Sequence, residues 1–295
     1  MRGGHGLAER QGVPDLLPER TADEAGRHVD LRLRTLGRPH REDAAVHVVG
    51  HQHGDGTRAL QDVSLTIAAG EFAVILGRSG AGKSTLLRCI NRLVDPTSGK
   101  IFFEDQEVTA LDGPRLRSLR QQIGMIFQDY NLVDRLSVQT NVLAGALGRT
   151  SAWGALVNHF AKADVDAARH HLERLEIGGK AGRRADQLSG GQRQRVGIAR
   201  ALMQKPKIIL ADEPVASLDP ATARTILDIL RRINREDGVT ILCNLHLPEL
   251  AREYGRRIIA MKQGEIVYDG PPDGLTRDLA DRLYRSDFLE AGETA

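Results

Sequence analysis

The stretch that most restricts what this 295-residue chain can fold into is "GRSGAGKST", residues 77–85, which follows the apolar run "EFAVIL". Gly77, Gly82, Lys83 and Ser84 stand at the spacing of a phosphate-binding loop. Such a loop needs a buried strand before it and a helix after it. Its glycines let the backbone wrap an anion and aim N–H groups inward, and the helix start adds partial positive charge at the same point. Lys83 is expected to reach the β- and γ-phosphates of a nucleoside triphosphate, and the Ser84 hydroxyl to ligate Mg²⁺. Arg78, Ser79, Gly80, Ala81 and Thr85 complete the expected cradle. Lys83 is also the first lysine of the chain, so it belongs to no lysine-rich tract.

The rest of the chain reads as a frame for that loop. Residues 1–43 mix arginines with acids, scattered Gly and Pro and few apolar anchors, the composition of a disordered extension. From Ala44, "AVHVV", "RALQDVSLTI" and "EFAVIL" read as strands, the last buried on both faces. A helix should open near Lys83 and end before the turn signals of "DPTSG". "KIFFEDQEV", "QQIGMIF", "KIILA" and "VTILCN" supply further strands. Residues 139–204 are mainly helical in pattern, with Val165, Ala168, Leu172 and Leu175 at helical spacing and His170 and His171 expected to face solvent. "RRIIAMKQGEIVYDG" reads as a hairpin turned at Gln263-Gly264. Strands alternating with helices give an α/β class with a helical insertion.

A formal net charge of +2 argues against a polyanion partner such as nucleic acid, so Arg183-Arg184, Arg231-Arg232 and Arg256-Arg257 are expected to be solvated faces. Cys89 and Cys243 sit among apolar neighbours and are expected to be buried and reduced. No run approaches the roughly 18 apolar residues of a membrane span, so a membrane role would come through a partner.

"KIILADEP" ends an apolar strand in two carboxylates, Asp212 and Glu213. Strand alternation should send them to different tasks: Asp212 to Mg²⁺, Glu213 to polarising an attacking water as general base. This reading gains weight from a phosphate loop expected on a neighbouring strand. The string "LSGGQRQRVGIARAL", residues 188–202, is the decisive addition. Five fixed residues such as LSGGQ would arise by chance in fewer than about one in a thousand chains of this length. Here the chain resembles the ABC ATPase family. Ser189, Gly190, Gly191 and Gln192 match its signature, at what reads as a second anion-binding helix start.

The resemblance covers residues 44 to about 272 and carries further implications. It implies an ABC-type P-loop NTPase with a RecA-like parallel-sheet core, an N-terminal antiparallel β subdomain and an inserted α-helical subdomain at about 129–200. A C-terminal helix and tail would fill 273–295. It implies ATP and Mg²⁺ as cofactors and a head-to-tail homodimer, each ATP held between the P-loop of one subunit and the signature of the other. Asp219 in "SLDP" resembles the residue that crosses the dimer interface. His246 resembles the switch histidine that contacts the γ-phosphate, and Gln128 the glutamine that touches Mg²⁺ or water. The place of the usual adenine-stacking aromatic falls near His53, whose imidazole stacks more weakly.

The strings "FQDYNLVDRLSVQTNVLAGALGRTSAW", "ADQLSGGQRQRVGIARALMQKPKIILADEPVASLDP" and "LYRS" are similar to the ATP-binding subunit of bacterial phosphonate importers. That likeness implies an ATPase coupled to import. Its partners would be two transmembrane permease subunits and a periplasmic or lipid-anchored solute-binding protein. The subunit would be peripheral on the cytoplasmic face of the inner membrane. Tyr130, Leu132, Val133 and Leu136 would then form a groove for a permease helix, or else cap the helical subdomain. The alternatives are an importer for methionine or polar amino acids, or a non-transport ABC ATPase in a soluble phosphonate-metabolism complex.

Overall fold

A computed structural model describes residues 44–52, 54, 56–150 and 160–284. The expected extension over residues 1–43, His53, Trp153 and the end of the chain past Tyr284 lie outside the described residues. Two sheets form. The first is antiparallel, with β1 (Ala44–Gln52) between β2 (Arg58–Ile67) and β4 (Ser98–Phe103), and the short β5 (Gln106–Glu107) beyond β4.

The second sheet has six strands in the order β10-β9-β3-β8-β7-β6. Its strands are β3 (Phe72–Leu76), β6 (Ile123–Ile126), β7 (Ile208–Ala211), β8 (Thr240–Leu245), β9 (Arg257–Lys262) and β10 (Glu265–Gly270). All its pairings are parallel except the β9–β10 hairpin. That hairpin turns at Gln263 and Gly264, both at positive φ (50° and 84°), the geometry of a turn that follows strand twist.

The buried runs are explained by period-two alternation between two cores. On β3, Phe72, Val74 and Leu76 face a cluster shared with the helices, while Ala73 and Ile75 face one shared with the antiparallel sheet. Strands β7 and β8 divide in the same way: Ile209, Ala211, Ile241 and Cys243 lie on the first side, Ile208, Leu210 and Leu242 on the second. The second cluster is closed by α1 (Lys83–Ile90), which buries Leu86, Leu87, Cys89 and Ile90. Both cysteines are buried and free, and burial raises both thiols, Cys89 to about 12. Among the described residues no helix is long and apolar enough to cross a membrane.

Helix α2 (Gly113–Arg120) leads into β6. The inserted helices are α3 (Val138–Leu143), α4 (Lys162–Arg174) and α5 (Gly190–Leu202), which pack on one another. Val142, Ala168, Leu172 and Val196 meet in their shared core. Helix α6 (Pro220–Asp237) has plain boundary signals: Asp219 as N-cap, Pro220 in the first turn, and Gly238 at φ 67° after its end. It buries Ala223, Ile226, Leu227, Leu230 and Ile233, the stripe of an amphipathic helix. Helices α7 (Pro248–Tyr254) and α8 (Arg277–Tyr284) finish the described chain, and Leu275 and Leu283 join the large core, so the packing extends past residue 272.

Three expectations change. Strand β7 does not neighbour β3, because β8 lies between them. His170 is exposed as expected, but His171 is half-buried with its Nδ1 sealed from solvent and unpartnered. Of the paired arginines, Arg183, Arg184 and Arg256 are exposed and the other three are not. Arg257 grips Asp269 with two hydrogen bonds of 2.5 and 2.6 Å and donates to the Thr66 carbonyl at 2.7 Å. It thereby ties β9 and β10 to the antiparallel sheet. Arg231 lies over the Tyr254 ring and Arg232 donates to the Arg174 carbonyl. Charge balance alone did not distinguish a solvated arginine from one with a backbone acceptor.

Candidate active site at the strand ends

Strands β3, β6, β7 and β8 run parallel, so the residues that follow each of them emerge along one edge, where open α/β sheets bind ligands. From β3 comes the loop from Gly77 to Gly82, and α1 begins at Lys83. Gly82 caps α1 at φ 97°, in the left-handed region, and a Cβ there would stand 2.4 Å from the Ala59 carbonyl oxygen. A Cβ on Gly77 would stand 2.4 Å from the Met261 carbonyl oxygen. The loop is thus seated against β2 and the β9–β10 hairpin, and the Gly264 amide donates to the Ala81 carbonyl at 3.1 Å. Arg78, Ser79 and Gly80 are exposed, and Thr85 is half-buried.

Lys83 is 3% exposed. Its ammonium donates to the Gly77 and Arg78 carbonyls at 2.8 and 2.9 Å and stands 3.3 Å from a Glu213 carboxylate oxygen. Ser84 donates from its hydroxyl to Asp212 Oδ1 at 2.6 Å. That same oxygen accepts from Asn244 Nδ2 at 2.9 Å, and Arg88 lies 3.6 Å from Asp212 Oδ2. Asn244, fully buried on β8, therefore bridges the gap between the phosphate-loop strand and β7. Sequence reading missed it, because a lone Asn in a strand carries no motif.

Asp212 and Glu213 do take different partners, but strand alternation is not the cause. The Asp212 amide still pairs with the Ile126 carbonyl, at 2.9 Å. Glu213 then turns left-handed, at φ 47°, and this swings its carboxylate to Lys83. A non-glycine residue held there stores about 1 kcal/mol, the kind of local strain that clusters at working sites. Ser84 and Asp212 present a hydroxyl and a buried carboxylate at hydrogen-bonding distance, hard oxygen donors whose chemistry fits Mg²⁺.

The "LSGGQ" segment opens α5, with Ser189 as N-cap and its backbone amide donating to Gln192 Oε1 at 3.2 Å. Both glycines are closely approached by side chains: a Cβ on Gly190 would lie 2.8 Å from the Tyr130 hydroxyl, and one on Gly191 would lie 2.4 Å from the Thr222 methyl, so either would push its neighbour aside. Ser189, Gly191 and Gln192 line a hollow with Lys180 and Arg195, whereas Arg78, Ser79, Gly80 and Ala81 line a different hollow with Met261, Lys262 and Leu283. The signature hollow and the hollow beside the phosphate loop share no residue.

The comparisons with known proteins agree on the family. Residues 60–216 match the family model described as "ABC transporter". The chain belongs to the ABC transporter family. It is 54% identical over 239 residues to a phosphonates import ATP-binding protein, PhnC 2, of Rhodopseudomonas palustris, covering 81% of this chain and 87% of that one. A second such relative, from Halalkalibacterium halodurans, is 50% identical over 243 residues, covering 81% and 94%. Among solved structures, the ATP-binding cassette MJ0796, described as a dimer in a post-hydrolysis state bound to ADP and phosphate, superposes with a TM-score of 0.69. It is 35% identical, covering 78% of this chain and 98% of that one.

The remaining residues expected from ABC resemblance are spread along the same edge. Gln128 is exposed just past β6, and His246 is half-buried just past β8. Asp219 accepts from the Ala221 and Thr222 amides at 3.1 and 3.0 Å, and hydrogen bonding from Thr222 holds its carboxyl below the usual range. His53 lies outside the described residues, so its stacking on adenine stays an expectation from sequence.

The segment after Gln128 is tied down more firmly than its mixed sequence suggests. Tyr130 and Asn131 are both left-handed, at φ 59° and 51°, and Arg200 of the signature helix donates to both of their carbonyls. Arg193 lies over the Tyr130 ring and pairs with Asp134. Asn141, 2% exposed, accepts from the Val133 amide at 2.8 Å and donates to the Val133 and Ser137 carbonyls at 3.1 Å each. Of the four expected groove residues, Tyr130 and Leu132 turn inward, whereas Val133 and Leu136 are 57% and 42% exposed. Two of the four therefore pack against the helical insertion and two remain on the surface.

Proposed function

We propose that the chain is the ATP-binding and ATP-hydrolysing subunit of a membrane ABC importer for phosphonates. The observation that carries this reading is the likeness to phosphonate-import relatives over nearly their whole length. The meeting of Lys83, Ser84, Asp212 and Glu213 at one point supplies the chemistry.

The roles we assign combine this geometry with the ABC resemblance. The amides of residues 77–85 and the Lys83 ammonium receive the β- and γ-phosphates. Phosphate oxygens compete with the Gly77 and Arg78 carbonyls and with Glu213 for the three ammonium protons. Capture of the lysine frees the Glu213 carboxylate, which accepts a proton from the water that attacks the γ-phosphorus as the bond to the ADP oxygen breaks. Ser84 and Asp212 would hold Mg²⁺, with Gln128 as a further expected contact, and the ion would neutralise charge on the phosphates. His246 contacts the γ-phosphate from the end of β8. The ABC resemblance implies that two copies complete each site. Ser189, Gly190, Gly191 and Gln192 of one copy face the nucleotide of the other, with Asp219 near the interface.

The subunit would sit on the cytoplasmic face of the bacterial inner membrane, docked on two permease subunits through the exposed Val133 and Leu136, with a solute-binding protein selecting cargo. Detergent extraction of cells carrying the tagged chain tests this. An integral membrane partner should co-purify, and its cognate binding protein should bind phosphonates in preference to methionine or polar amino acids. Recovery solely within a soluble enzyme complex refutes the import reading.

A further inference from the structure

Helix α8 follows the family-matched residues and has so far been given no part in the chemistry. It runs beside the phosphate loop. Leu283, 2% exposed, belongs to the large core cluster and lines the same hollow as Arg78, Ser79, Gly80 and Ala81. The next residue, Tyr284, is half-buried and donates from its hydroxyl to the backbone carbonyl of His246 at 2.7 Å. Burial, with the Glu249 and Glu213 carboxylates nearby, pushes its phenol up to about 12. The hydroxyl therefore keeps its proton and remains a donor throughout the neutral range.

The acceptor is informative. His246 and Leu247 form the whole link between β8, which ends at Leu245, and α7, which starts at Pro248. Pro248 has no N–H, so the first turn of α7 offers the link one donor fewer than usual. Leu247 is held by α7, since its carbonyl accepts from the Ala251 amide at 3.1 Å. The peptide that carries the His246 side chain is held from the other direction, by Tyr284. Ring packing alone would be met by Phe, whereas the hydroxyl meets one backbone carbonyl of one expected site residue.

We infer that Tyr284 is a positioning residue for catalysis, fixing the His246 peptide so that its imidazole is aimed at the γ-phosphate. The inference rests on the assignment of His246 to the γ-phosphate made above. It makes α8 a strut of the active site. Displacing a reacting group by even about 1 Å lowers rates by up to roughly a hundredfold, so one hydrogen bond at the root of His246 has leverage.

A double-mutant cycle on the full-length chain, assayed with Mg-ATP, tests it. Tyr284→Phe keeps the ring and should lower kcat about three- to tenfold while KM for ATP and the melting temperature stay close to wild type. In a His246→Ala background the same change should add nothing. Wild-type kcat in Tyr284→Phe, with turnover collapsed in His246→Ala, would overturn the inference and leave the role of His246 standing. Near wild-type turnover in His246→Ala would remove the role of His246 itself, and the inference with it. Additive losses in the double variant would show that Tyr284 acts independently of His246, which also overturns it.

Discussion

His171 shows how a single side chain escapes a pattern-based expectation. It falls beside the apolar stripe of α4, yet its Nδ1 is sealed from solvent without a partner. Burial, with His170 and Arg174 close by, lowers its pKa from 6.5 to about 4, against a smaller opposing pull from Asp237. The native state therefore binds this proton less readily than the unfolded chain. Its stabilising share is full above about pH 6.5 and drains away as pH falls towards 4. Replacing His171 with Leu should flatten the loss of stability over that window. Urea midpoints between pH 7 and 4.5 would measure this, and an unchanged slope would contradict it.

At the scale of elements, the loop from Asn131 to Ser137 is shaped by a residue outside it. Asn141 satisfies both sides of the Val133 backbone as well as the Ser137 carbonyl. Asn141→Ala would leave the Val133 N–H without its partner, while the Val133 and Ser137 carbonyls keep the Leu136 and residue-141 backbone amides; it should destabilise the domain by about 1 kcal/mol, read as a lower denaturant midpoint, with the exposed loop more open to proteases. The cause of legibility is visible here. The phosphate loop, the signature helix and the Gln263-Gly264 turn are local: their residues are close in sequence and each type is required by backbone geometry. Asn141, Asn244 and Tyr284 are solitary polar residues whose meaning comes from acceptors on other elements, up to 38 residues away for Tyr284. Sheet order is likewise non-local, which is why β8 between β3 and β7 was not foreseen. Likewise, Asp212 and Glu213 take different partners through a left-handed backbone at Glu213 and not through strand alternation.

At the scale of the molecule, the signature residues and the flank of the phosphate loop line separate hollows in one chain, and the proposed cycle uses a second copy to bring a signature to each nucleotide. Glu213→Gln should keep ATP binding, lower turnover by about 10²–10⁴ and trap an ATP-dependent dimer. Sedimentation should then show doubled mass with ATP and not with ADP. Turnover near wild type would remove Glu213 from its role. The seating of the phosphate loop adds a mechanical consequence. Ala59 and Met261 stand so close behind it that not even a methyl group fits at Gly82 or Gly77. Ala substitution at either glycine should therefore push the loop off β2 or the β9–β10 hairpin and weaken ATP binding. On the other side, Arg193 and Arg200 hitch the helical block to the chain leaving Gln128.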